Sequence, residues 1–232
     1  MRKVLALALT ASALTVATPA SAASLILPDG KAVSLEVGSP LTFTVDLFAT
    51  QGDQPQGAAA RIVFSYLGTT SFNRYDFTFS ADNTSTAPSP LARLVSFGFD
   101  AENPTSITEV SPFTAATNTN GNFNGLGQVD VCFYSGPNCN GNGGAGVGTS
   151  DTPFTGAFSL NYTSGVTPPL VLENFRARWQ STGSAGTGSA SGAGMMSAVP
   201  EPTTWAMMLV GFGTVGYSMR RRKAANKILQ LA

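Results

Sequence analysis

Histidine is absent from the 232-residue chain. This excludes Ser-His-Asp and Cys-His nucleophile arrangements and every metal site that needs an imidazole ligand. Charged residues are also scarce, at 11% of the chain, against roughly 25% in ordinary soluble domains. The formal net charge is zero, so the composition also argues against nucleic-acid binding driven by overall basicity.

The few charges are unevenly distributed along the chain. Residues 1–22 carry only Arg2 and Lys3, and residues 23–199 carry six basic and twelve acidic side chains. The remaining carboxy-terminal residues carry five basic groups and one acid. An acidic middle between short basic ends indicates an exported protein whose basic ends stay on the cytoplasmic side of the membrane.

The amino terminus has the organisation of a signal peptide. An uncharged apolar run over 4–16 follows the two basic residues, and Ala20-Ser21-Ala22 supplies the small residues of a cleavage site. The run is shorter than the ~20 residues that span a bilayer. We therefore predict a signal peptide over 1–22, cleavage between Ala22 and Ala23, and export by the Sec machinery.

The middle of the chain alternates apolar and polar residues over short stretches. The pattern occurs at 41–47, 75–80, 97–99, 154–160 and 170–179, and the stretch 61–67 is more fully apolar. A period of two with aromatic and β-branched residues is typical of half-buried strands, and Gly, Pro, Asn and Ser clusters separate them. We expect about eight to ten strands and an all-β fold for residues 23–182, namely a single antiparallel β-sandwich or jelly-roll-like domain.

The two cysteines, Cys132 and Cys139, lie seven positions apart. In an exported protein this spacing predicts a disulfide, and Gly136-Pro137-Asn138 can turn the chain between them. A redox-active pair is the alternative, but the C-x-x-C spacing and a nearby cation are missing.

Carboxylates are the remaining candidates for acid and base catalysis. Two of them could flank a glycosidic bond, and the candidates in strands and turns are Asp46, Asp76, Asp100, Glu102, Asp151 and Glu173. The sequence selects no pair among them, so a secreted hydrolase is disfavoured. We predict no catalytic residue, no cofactor and no metal site.

Residues 183–198 are rich in Gly, Ser and Ala, and 183–194 contain nothing but Gly, Ser, Ala and Thr. This composition predicts a flexible linker that separates the β-domain from the tail. The alternative is a small-residue strand that completes the sheet.

The tail begins with Pro200-Glu201-Pro202 and continues with Trp205 inside an uncharged run over 203–219. As a helix these 17 residues are about 26 Å long, close to the thickness of a thin hydrocarbon core of ~27–30 Å. Arg220, Arg221 and Arg222 follow as a cytoplasmic stop. We predict a single transmembrane helix. The G-x-G-x-x-G pattern over 211–216 then belongs to this helix and not to a dinucleotide site.

These residues closely resemble the PEP-CTERM sorting signal of bacterial exported proteins. Pro200, Glu201 and Pro202 correspond to its signature triplet, Trp205 begins its apolar run, and Arg220 to Arg222 form its basic end. The resemblance covers 199–223, and the extension 224–232 departs from it. It implies cleavage near the triplet by an exosortase, a membrane-embedded sorting enzyme, in Gram-negative bacteria that make exopolysaccharide and biofilm.

A second resemblance concerns the β-domain. The cysteine pair and the segment 175–183 look like the subgroup called the cistern family. This second resemblance gives no activity that could be assigned to the chain.

Together these features predict a non-enzymatic exported protein of the cell surface or extracellular matrix, which the inner membrane holds transiently as a precursor. Extracellular polysaccharide is a candidate partner and nucleic acid is not. The alternative is a membrane-anchored carbohydrate-binding or adhesive module. Its sugar-stacking aromatics would come from Tyr66, Tyr75, Phe133, Tyr134 and Trp179.

Overall fold

A computed structural model describes residues 24–69, 71–117, 123, 125–140, 145–164, 166, 168–198 and 212. This part of the chain forms thirteen β-strands. They are β1 (Leu25–Ile26), β2 (Ala32–Leu35), β3 (Leu41–Gly52), β4 (Ala59–Tyr66), β5 (Arg74–Asp82), β6 (Arg93–Asp100), β7 (Ser106–Val110), β8 (Thr114–Thr117), β9 (Val131–Tyr134), β10 (Val147–Gly148), β11 (Phe154–Asn161), β12 (Leu170–Thr182) and β13 (Gly188–Ala198).

The strands form one antiparallel sheet in the order β7-β11-β5-β4-β3-β13-β12-β6-β9-β8. β10 pairs with β6, and the short β1 and β2 pair with each other beside β12. The outermost strands, β7 and β8, follow each other in the chain, and the backbone N–H of Ala115 donates to the Glu109 carboxylate at 3.2 Å. The sheet therefore curls until its two ends meet and is nearly barrel-shaped.

The all-β antiparallel class is confirmed. The alternating stretches 41–47, 75–80, 97–99, 154–160 and 170–179 lie within β3, β5, β6, β11 and β12. Alternation predicts these strands because one face of each packs inward and the other meets solvent. One continuous sheet encloses the core, and its two halves face each other as the layers of a sandwich do.

Aromatic rings from both halves of the sheet fill the interior. The register places Phe43, Phe64 and Phe79 side by side across β3, β4 and β5. The Phe64 ring is completely buried. It lies 5.4–6.4 Å from the rings of Phe43, Phe79, Phe97, Phe99, Phe158 and Phe175. Phe64 is thus at the centre of the core.

The predicted linker over 183–198 is wrong. Residues 183–186 form a turn, and Gly188–Ala198 form β13, which pairs with β12 on one side and with β3 on the other. The domain therefore extends beyond residue 182 and includes the described residues up to Ala198.

Glycine suits β13 because atoms of the neighbouring strand β3 come unusually close. A Cβ at Gly192 would overlap the carbonyl oxygen of Phe48, and one at Gly194 would lie 2.5 Å from a methyl group of Val45. The small residues that resemble a flexible linker thus allow close packing in the middle of the sheet.

Two buried tyrosine hydroxyls, those of Tyr75 and Tyr162, find no hydrogen-bond partner among the described residues. The two rings lie 6.0 Å apart. Burial raises the pKa of Tyr75 to about 12, and the neighbouring Tyr66 contributes to the rise.

We expect the free energy of unfolding to fall as the pH rises from about 10, the ordinary tyrosine pKa, to about 12. In this range the Tyr75 phenol ionises in the unfolded chain but stays protonated in the folded one, so the unfolded state gains stability. Urea unfolding at stepwise pH measures the effect. Tyr75→Phe should lose less stability over this range, and an unchanged pH dependence in that variant would contradict the assignment.

Candidate functional site

The last strand of the domain, β13, ends beside the start of β3, at one end of the sheet. The Cα atom of Ala198, the last residue of β13, is the register partner of Phe43 near the start of β3. Just before β3, the carbonyl of Ser39 accepts a hydrogen bond from the Ser24 hydroxyl at 2.6 Å, and Pro40 packs against Gly68. We call this region, marked by Ser24, Pro40, Gly68 and Ala198, the terminal end of the domain.

The amino-terminal strands also help to hold the end of β13. The backbone N–H of Met196 donates to the carbonyl of Gly30, in the turn between β1 and β2, at 2.8 Å. Hydrogen bonds therefore fix β13 in place close to the start of the carboxy-terminal tail.

Residues 198–223 match the family model of the PEP-CTERM protein-sorting motif. This chain carries a PEP-CTERM sorting signal. The signal indicates an exported protein that passes the membrane and is sorted by an exosortase, its processing partner. The match begins at Ala198, the last described residue of β13, two positions before Pro200 in the sequence.

No curated protein and no solved structure matches this chain significantly. The resemblance to the cistern family stays a prediction.

The residues of the PEP-CTERM signal that the sequence singles out lie outside the described residues. They are Pro200, Glu201, Pro202, Trp205, Arg220, Arg221 and Arg222. The signal-peptide cleavage site at Ala22 and Ala23, the predicted membrane run 203–219 and the extension 224–232 also lie outside them, apart from Phe212. Within the described residues, no helix combines the length and the apolar character of a transmembrane span.

Upstream of the PEP-CTERM signal, the structure brings three of the six candidate carboxylates together. Asp100, Glu102 and Glu173 line a cavity of about 260 Å³. Asp130, which lies two residues before Cys132 and which the sequence reasoning missed, completes the group. Burial raises the pKa of the Asp130 carboxyl, and the nearby Asp100 adds to the rise, while a backbone hydrogen bond from Ala101 opposes it.

Two of these four carboxylates hold the backbone of neighbouring loops. Asp130 accepts the N–H of Ala101 at 3.1 Å, and Asp100 accepts the N–H of Asp130 at 3.2 Å and the Asn174 amide at 2.8 Å. In the described part of the chain, no three Asp, Glu, His or Cys side chains are grouped closely enough to hold a metal ion. The cavity is therefore a loop junction.

The other candidate carboxylates lie apart from this cavity. Asp46 pairs with Arg61 and Asp76 with Arg74, each at 2.7 Å. Asp151 accepts the backbone N–H of Gly148 at 2.7 Å. On the outside of the sheet, these three carboxylates thus form two ion pairs and one hydrogen bond to the backbone.

Four of the five aromatic residues proposed for sugar stacking are part of the core. Tyr66, Tyr75, Phe133 and Trp179 are buried, and the Trp179 indole donates to the carbonyl of Ala59 at 3.3 Å. Tyr134 is half-buried and packs against the cysteine loop. The choice of the four buried residues is wrong, because the inward faces of the strands need large apolar side chains to fill the core.

The disulfide between Cys132 and Cys139 is present, with a Cα–Cα distance of 6.2 Å. Its sulfurs lie in a small second core with Phe123 and Val129. The Ser96 hydroxyl of β6 donates to the carbonyl of Cys139 at 2.9 Å. The disulfide thus fixes the loop after β9 against the sheet, a structural role that agrees with an exported protein.

Proposed function

We propose that this protein is a non-enzymatic β-domain that an exosortase releases from the inner membrane and that then acts at the cell surface or in the extracellular matrix of a Gram-negative bacterium. The Sec machinery exports it, the run 203–219 holds the precursor in the membrane, and exopolysaccharide of the biofilm matrix is its partner.

The position of the PEP-CTERM signal carries this proposal. The matched segment, 198–223, starts where β13 stops. A cut near Pro200-Glu201-Pro202 therefore removes the whole membrane-directed tail and leaves every strand of the sheet in place. Because β13 lies between β3 and β12, a cut a few residues earlier would shorten a strand in the middle of the sheet.

The contacts of the four carboxylates at the cavity support a non-enzymatic role. Asp100 and Asp130 are engaged with backbone and amide groups, while Glu102 and Glu173 are exposed to solvent. The carbohydrate-binding alternative loses the buried aromatics on which it depended, so we do not propose it.

Glu201→Gln is expected to leave the precursor uncut in the membrane fraction. The matched control is Glu173→Gln, which makes the same chemical change at an exposed strand position and should be processed as the unmodified chain is. Both variants and the unmodified chain are expressed in cells with and without the exosortase, the cells are fractionated, and the mass of the carboxy-terminal peptide is measured.

The unmodified chain should end near residue 200 only in cells that contain the exosortase. An intact carboxy terminus in both kinds of cell would overturn the proposal. A mature form that ends before Ala198 would contradict the view that processing leaves the sheet whole.

A further inference from the structure

The terminal end of the domain exposes large apolar side chains. Leu25 is 47% exposed, Leu67 is 54% exposed and Phe72 is 51% exposed. Single exposed apolar residues are ordinary on protein surfaces, so their common location is what matters here.

Hydrogen bonds between loops place the three residues at the same end. Leu25 follows Ser24, whose hydroxyl donates to the carbonyl of Ser39. One residue earlier, Gly38 donates its N–H to the carbonyl of Thr69 at 3.0 Å, in the same loop as Leu67 and Phe72. The three side chains thus lie at the end of the sheet at which the described chain begins and β13 ends.

The length of chain beyond the sheet limits how far this end can lie from a membrane. Four residues, 199–202, separate Ala198 from the apolar run that starts at Thr203. Fully extended, they span at most roughly 14 Å. The predicted signal peptide ends one residue before Ala23, so both hydrophobic segments leave the domain from the terminal end.

We propose that the terminal end rests on the lipid surface in the anchored precursor, with Leu67, Phe72 and Leu25 at the level of the lipid headgroups. This inference relies on the membrane-held precursor proposed above. Large apolar side chains enter the headgroup region of a bilayer favourably. Arg74, at the edge of the same loop, is paired with Asp76 at 2.7 Å, so its charge is compensated. In this proposal the lipid contact is made by the three apolar side chains.

The test uses the full-length chain with one added thiol. The two native cysteines form the disulfide, so Leu67→Cys provides the one free thiol, which is labelled with an environment-sensitive dye. The control is Leu91→Cys. Leu91 is 58% exposed and lies beside Gly186 in the turn that precedes β13. Leu91 therefore lies near the start of β13, whereas the terminal end of the domain lies at the other end of this strand, roughly 33 Å away.

Each labelled precursor is reconstituted into vesicles of phosphatidylethanolamine and phosphatidylglycerol. We expect the dye at position 67 to shift to shorter emission wavelength and to be quenched by lipids that carry a nitroxide, and we expect neither change at position 91. Phe72→Cys should give the same result as Leu67→Cys. It serves as the test variant if Leu67→Cys does not fold.

The outcomes separate the two proposals. A precursor that does not float with the vesicles would overturn both membrane anchoring and the lipid contact. A precursor that floats while the dyes at 67 and 72 stay in water would overturn the lipid contact alone. A shift that occurs only after exosortase is added would assign this surface to the enzyme and would also overturn the lipid contact.

Discussion

A chain that ends at residue 187 is expected not to fold, whereas a chain that ends at Ala198 is expected to fold as the full domain does. Without β13, the edges of β3 and β12 lose their hydrogen-bonded partner in the middle of the sheet. The buried side chains of Ala190 and Met196 are lost with it. Circular dichroism and urea unfolding of the two oxidised proteins, both beginning at Ala23, measure the difference.

This comparison distinguishes a strand from a linker directly. If 188–198 were a linker, the two proteins would unfold at the same urea concentration. A cooperative transition at the same midpoint in the shorter protein would contradict the position of β13 in the sheet. Gly192→Val in the longer protein is a milder version of the same test, because the added side chain would overlap the carbonyl oxygen of Phe48.

Phe64→Ala is expected to lower the free energy of unfolding by about 3–5 kcal/mol, the usual loss when a buried phenylalanine is removed. The Phe64 ring is buried among aromatic rings from both halves of the sheet, and Phe99 and Phe175 lie 5.9 Å and 5.8 Å from it. Few neighbouring side chains can move into the cavity, because large rings pack rigidly.

Phe48→Ala is the matched control. Phe48 is on the neighbouring strand β3, but its side chain is 57% exposed, and its removal should change the stability by no more than about 0.5 kcal/mol. Urea unfolding of the oxidised domain over 23–198 measures both variants. Equal losses at the two positions would show that the aromatic cluster does not carry the stability of the fold.

The alternating pattern predicted the strands that have one buried face and one exposed face. Residues 41–47 and 170–179 are examples, and both lie within strands. The pattern does not indicate β7, with the sequence SITEV, or β8, with the sequence TAAT, which are both short. It also does not indicate β13, which is rich in Gly, Ala and Ser. In these three strands, pairing with neighbouring strands of the sheet decides the conformation, and local periodicity does not.

Of the candidate functional residues, the sequence predicted those of the sorting signal but not the group of carboxylates. Pro200-Glu201-Pro202, the apolar run and Arg220 to Arg222 are contiguous, so the sequence alone revealed the sorting signal. The carboxylates were not predictable as a group, because Asp100, Asp130 and Glu173 come from distant parts of the chain and meet only when β6 pairs with β12 and β9.

The sequence by itself determined that the protein is exported and sorted, that its domain is all-β and that Cys132 pairs with Cys139, because these properties depend on local composition and spacing. Tertiary structure alone decided that 188–198 belong to the sheet, that four of the five proposed sugar-stacking aromatics are buried and that both ends of the domain meet at the terminal end. Each of these depends on which distant strands lie side by side, and the free energy of that pairing comes from contacts that no single segment contains.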